Sequence, residues 1–184
     1  EYYDIDGTVG ALYILPSNVT SYGNLVLRAK GGDNLVLPNN SYTTIHGNLT
    51  CTGDTTTAWV AMCWNTNIWP YWTNDYNPTL EKTVHVNGNL NVDAGTLIFF
   101  NDKQPQHLIV DGDVTVNSGA VLRINPAYPF TTPIITNNTI KIGGSLINNG
   151  TVSLREQSGG NYYYVNSTFF TTGKTYIKNT SCLL

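Results

Sequence analysis

Residues 84–99 read VHVNGNLNVDAGTLIF, and residues 108–123 read LIVDGDVTVNSGAVLR. The glycines of the two phrases, Gly88 and Gly112, stand 24 residues apart. Within each phrase the apolar residues come in pairs two apart, Leu90 with Val92, Val114 with Val116 and Leu97 with Phe99, while Asn, Thr or Asp fill the alternate positions. Successive side chains of a strand point to opposite faces, so this alternation predicts short strands with one apolar face. Glycine tolerates a positive φ that other residues resist, and it is expected to turn the chain between these strands.

The phrase recurs outside these two copies. YGNLVL at Gly23, HGNLTC at Gly47, NGNLNV at Gly88, DGDVTV at Gly112 and GGSLIN at Gly144 share it, and Gly23 and Gly47 are again 24 residues apart. A second turn and strand follow in AGTLIF at Gly95, SGAVLR at Gly119 and NGTVSL at Gly150. Self-similarity at such a period marks a repeat architecture. A short strand, a turn and another short strand cannot bury an apolar face alone, whereas copies stacked in parallel about 4.8 Å apart can. The sequence therefore predicts an all-β parallel β-helix, or β-solenoid, with coils of about 24 residues. The residues after the glycines, Asn24, Asn48, Asn89, Asp113 and Ser145, are expected to form a polar column bonded from layer to layer. The alternative is a β-sandwich in which these residues only favour turns. Two irregularities stand out. Gly47 to Gly88 spans 41 residues and Gly112 to Gly144 spans 32, so insertions must interrupt the stack, and Arg123 falls on the inward side of the alternation unless a bulge shifts the register to place Leu122 and Ile124 inside.

The grammar V-x-G-N-L-x-V-x-x-G-T-L resembles the coils of right-handed parallel β-helices of secreted adhesins, autotransporter passengers and pectate-lyase-like proteins. The likeness covers roughly residues 21–155. Together with the Asn-, Thr- and Tyr-rich, Lys-poor composition, it also resembles surface proteins of archaea, including subunits of extracellular filaments. What the resemblance implies is a secreted surface protein, and since the calcium nonapeptide GGxGxD is absent, no cofactor is expected.

Composition agrees with a surface setting. Only 11% of the 184 residues are charged and the net charge is -3, which offers no basic face to a nucleic acid. Solubility has to come from neutral amides and hydroxyls. No apolar run approaches the roughly 20 residues of a membrane-spanning helix, so insertion into a membrane is not expected, and a leader before Glu1 is expected to have been removed. Sequons for N-glycosylation occur at Asn18, Asn39, Asn48, Asn137, Asn149, Asn166 and Asn179, making covalent N-glycans an expected modification. The three cysteines, Cys51, Cys63 and Cys182, are an odd number. Cys51 with Cys63 closes the shortest loop for a disulfide, and burial of all three as small apolar residues is the competing reading.

One domain, residues 1–184, is expected, with an N-terminal strand over 1–16, a solenoid over 17–157 carrying an aromatic insertion at about 54–82, and a C-terminal hairpin over 158–184. In the first segment Tyr3, Ile5, Val9, Ala11, Tyr13 and Leu15 share one face of an alternating run that ends at Pro16. It either covers the first coil of its own chain or adds to a neighbouring subunit as a donor strand. The last segment reads as two aromatic strands joined by TTGKT with Gly173 in the turn. The insertion holds every tryptophan, Trp59, Trp64, Trp69 and Trp72, which would pack on a flank, meet another subunit or bind a glycan.

Catalytic chemistry finds little support. Asp111 and Asp113, with Asp93 and Asp102, are the best carboxylate candidates for a polysaccharide lyase or hydrolase, yet as turn residues they need no chemistry. No pair with Glu1, Glu81 or Glu156 is nominated by spacing. His46, His85 and His107 sit at different offsets from their glycines and are not expected to line up as metal ligands. The sequence therefore points to a non-enzymatic structural subunit that polymerises with itself into an extracellular filament or coat, with an adhesin or glycan-binding module as the alternative.

Overall fold

The computed structural model describes residues 2–4, 12–31, 34–38, 40–55, 58–62, 81–98, 106–123, 138–153, 155–158, 161–164, 167–171, 175–177 and 182–183. The described chain is all β, with no helix. It opens with strands β1 (Tyr2–Asp4), β2 (Leu12–Ile14) and β3 (Ser21–Tyr22), then β4 (Leu25–Ala29), β5 (Asn34–Val36) and β6 (Tyr42–Ile45). It goes on through β7 (Leu49–Gly53), β8 (Trp59–Ala61), β9 (Lys82–Val86), β10 (Leu90–Val92), β11 (Thr96–Ile98) and β12 (Gln106–Val110). Next come β13 (Val114–Val116), β14 (Val121–Arg123), β15 (Asn138–Ile142), β16 (Leu146–Asn148) and β17 (Thr151–Ser153). The last are β18 (Arg155–Ser158), β19 (Asn161–Tyr164), β20 (Ser167–Thr171), β21 (Thr175–Ile177) and β22 (Cys182–Leu183).

These strands form three parallel sheets that the chain visits in turn. Sheet A runs β1-β4-β7-β10-β13-β16-β21, sheet B runs β2-β5-β8-β11-β14-β17-β22, and sheet C runs β3-β6-β9-β12-β15-β20. Only β18 and β19 pair antiparallel among the described strands. Parallel pairing every third strand, in place of antiparallel neighbours, excludes the sandwich alternative for the described residues.

The registers explain the alternation in the sequence. In sheet A the column Leu25, Leu49, Leu90, Val114 and Leu146 is buried, as is Leu27, Cys51, Val92 and Val116, while the column between them, from Val26 through Thr50, Asn91 and Thr115 to Ile147, is half-exposed. Each fully buried aliphatic side chain contributes about 1.5–3 kcal/mol. Tyr22, Ile45, Val86, Val110 and Ile142 bury the matching column of sheet C, and Leu35, Val60, Leu122 and Val152 that of sheet B. One continuous core joins the three inner faces.

Arg123 does not enter that core. Leu122 pairs with Leu97 and is buried, and Arg123 pairs with Ile98 on the outward side. The shift lies in the turn: Leu97 is two residues beyond Gly95, Leu122 three beyond Gly119, and Ala120 takes up the extra place, buried, with its N–H donated to Asn117 O. The insertions have an equally simple address. From sheet C to sheet A the chain always crosses in two or three residues, whereas the intervals 62–81, 99–105 and 124–137 all run from sheet B to sheet C.

Both ends differ from the expected boundaries. The first segment is not one long strand, because β1 pairs with β4 in sheet A and β2 pairs with β5 in sheet B. Nor do the strands flanking TTGKT form a hairpin: β20 extends sheet C and β21 extends sheet A. Gly173 precedes Thr175 by two residues as Gly144 precedes Leu146, and Thr175 pairs with Leu146. TGKTYI is thus a further copy of the phrase, disguised by Thr in place of Leu. The sheets consequently run past both 17 and 157.

Candidate functional site

The feature repeated from layer to layer among the described residues is the crossing from sheet C to sheet A. Asn24 Oδ1 accepts the N–H of Asn48 at 2.8 Å, Asn48 Oδ1 that of Asn89 at 2.8 Å, Asn89 Oδ1 that of Asp113 at 2.8 Å, and Asp113 Oδ1 that of Ser145 at 2.7 Å. The main-chain oxygens of Asn48, Asn89, Asp113 and Ser145 meanwhile accept N–H groups from Leu25, Leu49, Leu90 and Val114, each at 2.9 Å. At a corner the strand ladder runs out of acceptors, and a main-chain N–H left without one is costly. A short side-chain oxygen from the layer below supplies the acceptor. This is the polar column the sequence predicts, with the Oδ1 atoms of Asn24, Asn48, Asn89 and Asp113 bonded to the main chain of the next layer.

The same geometry corrects the role of the glycines. Gly31, Gly95 and Gly119 have positive φ, whereas Gly47, Gly88, Gly112 and Gly144 do not. A Cβ on Gly47, Gly88, Gly112 or Gly144 would lie 2.2–2.4 Å from the Oδ1 of the preceding column residue. Their glycine N–H groups donate straight down the column, Gly47 to Gly23 O, Gly88 to Gly47 O and Gly112 to Gly88 O at 3.0 Å, and Gly144 to Gly112 O at 2.9 Å. What these positions require is close approach, not an unusual backbone angle. Gly23, first in the column, has open space where its Cβ would be.

Inside the stack, Cys51 is a free, buried thiol. Burial pushes the thiol well above its ordinary range, with the nearby Asp93 carboxylate adding to the shift. Cys63, its partner in the expected disulfide, lies outside the described residues. Lys82 is also fully buried, and its Nζ donates to the main-chain oxygens of Pro38 and of Asn40, the latter at 3.1 Å. These carbonyls help hold the ammonium away from water at the corner between sheets B and C.

The carboxylates named by the sequence do not converge. Asp113 belongs to the column, and Asp93 Oδ1 accepts from Asn117 Nδ2 at 2.8 Å, which ties two layers together. Asp111 points outward beside His85, and Asp102 lies outside the described residues. No group of three His, Cys, Asp or Glu among the described residues could hold a metal ion.

The histidines form no column, but they share a face, which the sequence reading missed. His46 is bonded to Ser21 Oγ at 2.9 Å, His107 Nδ1 to Thr139 Oγ1 at 2.7 Å, and His85 lies between Tyr42 and Asp111, all on the outer side of sheet C. The signal was present in the numbering. Their offsets from Gly47, Gly88 and Gly112 are one, three and five residues, all odd, and odd offsets along a strand share a face.

Of the N-terminal face, Tyr3 lies in β1 opposite Leu27, Tyr13 is exposed and Leu15 is buried in the core. Ile5, Val9 and Ala11 lie outside the described residues. Trp59 packs half-buried against Val36 and Ala61 in a small apolar cluster separate from the main core, while Trp64, Trp69 and Trp72 lie outside the described residues. Among the sequons, Asn18 is exposed in a turn, Asn48 sits in the column and Asn149 donates its N–H to Val116 O at 2.8 Å. Asn39, Asn137, Asn166 and Asn179 lie outside the described residues.

Comparison with known proteins finds no matching family model, no matching curated relative and no matching solved structure.

Proposed function

We propose that this chain is a parallel β-solenoid that serves as a structural subunit of an extracellular filament or surface coat, assembling with copies of itself end to end. The observation that carries this reading is the state of the sheet ends. Among the described strands, β1, β2 and β3 are the edges at one end and β20, β21 and β22 those at the other, and each runs parallel to its neighbour. An open parallel edge is a template for another parallel strand. Tyr13 belongs to the inward column of Leu35, Val60, Leu122 and Val152, each 3% exposed or less, yet it is itself 45% exposed at the end of the stack, and its neighbour Ile14 is 44% exposed. A layer from a second copy would cover both.

Such a contact joins unlike surfaces and does not close, so repetition yields a filament. Strand donation loses its motive here, because β1 and β2 are already paired within their own chain. The strand order also implies a rotation. The described stack ends on β22 of sheet B, so the next place in the A, B, C order lies over β20. A second copy that continues the winding would set its β1 on β20, its β2 on β21 and its β3 on β22, turned by one sheet, a third of a turn. Low charge and seven sequons support the surface role.

Sedimentation and negative-stain microscopy of the purified chain over rising concentration test the reading. Rods that lengthen with concentration are expected. Dispersed monomers at every concentration and salt would contradict it.

A further inference from the structure

Sheet C carries an arrangement that assembly does not use. Tyr42 lies in β6, His85 in β9 and Asp111 just after β12, three successive neighbours in the sheet. Tyr42 pairs with Thr83 and His85 with Ile109, so each member of the trio is two residues beyond the position directly opposite the last. Long side chains on one face of a sheet reach such diagonal neighbours. The Tyr42 hydroxyl meets His85 Nδ1 at 3.3 Å, and His85 Nε2 meets Asp111 Oδ2 at 3.0 Å.

An ionised carboxylate only accepts, so Asp111 fixes the proton of His85 on Nε2 and leaves Nδ1 as the acceptor facing the phenol. A nucleophile, a base within reach and a third group that orients the base form the general pattern of an activated nucleophile. The 3.3 Å step is long for such a bond, and these contacts shorten as reaction proceeds. The phenol is open to solvent: Tyr42 is 47% exposed.

We propose that Tyr42 is a nucleophilic phenol and a site of covalent acylation by an activated acyl donor, with His85 as its base and Asp111 as the positioning residue. The phenol oxygen forms a bond to the donor's carbonyl carbon as its proton passes to His85 Nδ1. The bond from that carbon to the leaving group then breaks, and the leaving group departs with the proton. The products are a tyrosyl ester and the free leaving group, with no change of oxidation state. The reaction is stoichiometric, one acyl group per chain. It does not depend on the proposed assembly.

Tyr13 is an internal control, exposed to 45% against 47% for Tyr42. The dispersed chain is treated with 4-nitrophenyl acetate, and acetyl groups are located by peptide mass spectrometry over time. Tyr42 is expected to react about tenfold or more faster than Tyr13, the low end of what a positioned base supplies. His85→Val is expected to bring Tyr42 down to the Tyr13 rate without changing Tyr13, and Asp111→Ala to lower it in part, with recovery in Asp111→Glu. Equal rates at the two tyrosines of the unaltered chain would overturn the proposal, and that comparison needs no variant to fold. A His85→Val chain of unchanged circular dichroism that still acylates Tyr42 at the full rate would overturn it as well.

Discussion

Asn89 Oδ1 lies 2.8 Å from the main-chain nitrogen of Asp113, twenty-four residues further along the chain and one layer up the sheet. The bond repeats from Asn24 up to Ser145 along the described corners between sheets C and A, and it couples two parts of the phrase that the sequence presents as separate choices. A residue with a short side-chain acceptor must follow the glycine, because the next layer offers an N–H there. The residue before it must be glycine, because that acceptor occupies the space of a Cβ.

Alanine at Gly88 or Gly112 is therefore expected to cost about 1–3 kcal/mol, the range for forcing an extra carbon into packed surroundings. Gly23→Ala, at the open head of the same column, is expected to be nearly neutral. Urea unfolding of the three variants checks the contrast, and equal losses at all three would show that backbone freedom, and not the neighbouring oxygen, sets the requirement.

Asn89→Leu removes an acceptor and strands the N–H of Asp113. A loss of about 1 kcal/mol is expected, the usual scale for one hydrogen bond. Asn89→Asp keeps the oxygen, as Asp113 itself does one layer on, and is expected to lose little. Thermal melts of both variants, together with hydrogen exchange at the Asp113 amide, report the difference.

Burial holds the Cys51 thiol neutral in the folded state. Ionisation in the unfolded chain begins near the ordinary value of 9.0. Below that pH the thiol is neutral in both states and contributes no pH dependence; above it the unfolded chain binds fewer protons, and stability falls as pH rises. Cys51→Ala should flatten that alkaline slope while lowering stability at neutral pH through the cavity it leaves. A thiol reagent should modify Cys51 only after unfolding, which mass spectrometry of the labelled peptide would establish.

Charge at the exposed end of sheet B should block assembly and spare the fold. Tyr13→Lys with Ile14→Lys is expected to give monomers with an unchanged circular dichroism spectrum, since both side chains are exposed in the single chain. Rods of normal length from this variant would move the subunit contact elsewhere.

Much of this architecture was legible in the sequence because layers that stack in register repeat their chemistry. The 24-residue spacing, the buried pairs at Leu90 and Val92 and the polar column all follow from one rule of side-chain alternation. What escaped the reading are places where the repeat is kept by backbone pairing and not by residue type. Thr175 occupies a position filled elsewhere by Leu or Val, so the last layers looked like a hairpin. Ala120 absorbs a one-residue shift that no local pattern announces, and it carries Arg123 outward. Tyr42, His85 and Asp111 lie far apart in sequence and meet only through the registers of three strands. A diagonal contact across neighbouring layers has no signature along the chain.

The most direct measurement is electron cryomicroscopy of the assembled protein at a resolution that separates strands. The account predicts layers spaced about 4.8 Å apart running unbroken across each subunit junction, with β1 of one copy on β20 of the next and successive copies turned by a third of a turn. A junction in which a strand leaves its own sheet to enter a neighbour, or subunits joined side to side with their end strands bare, would contradict it.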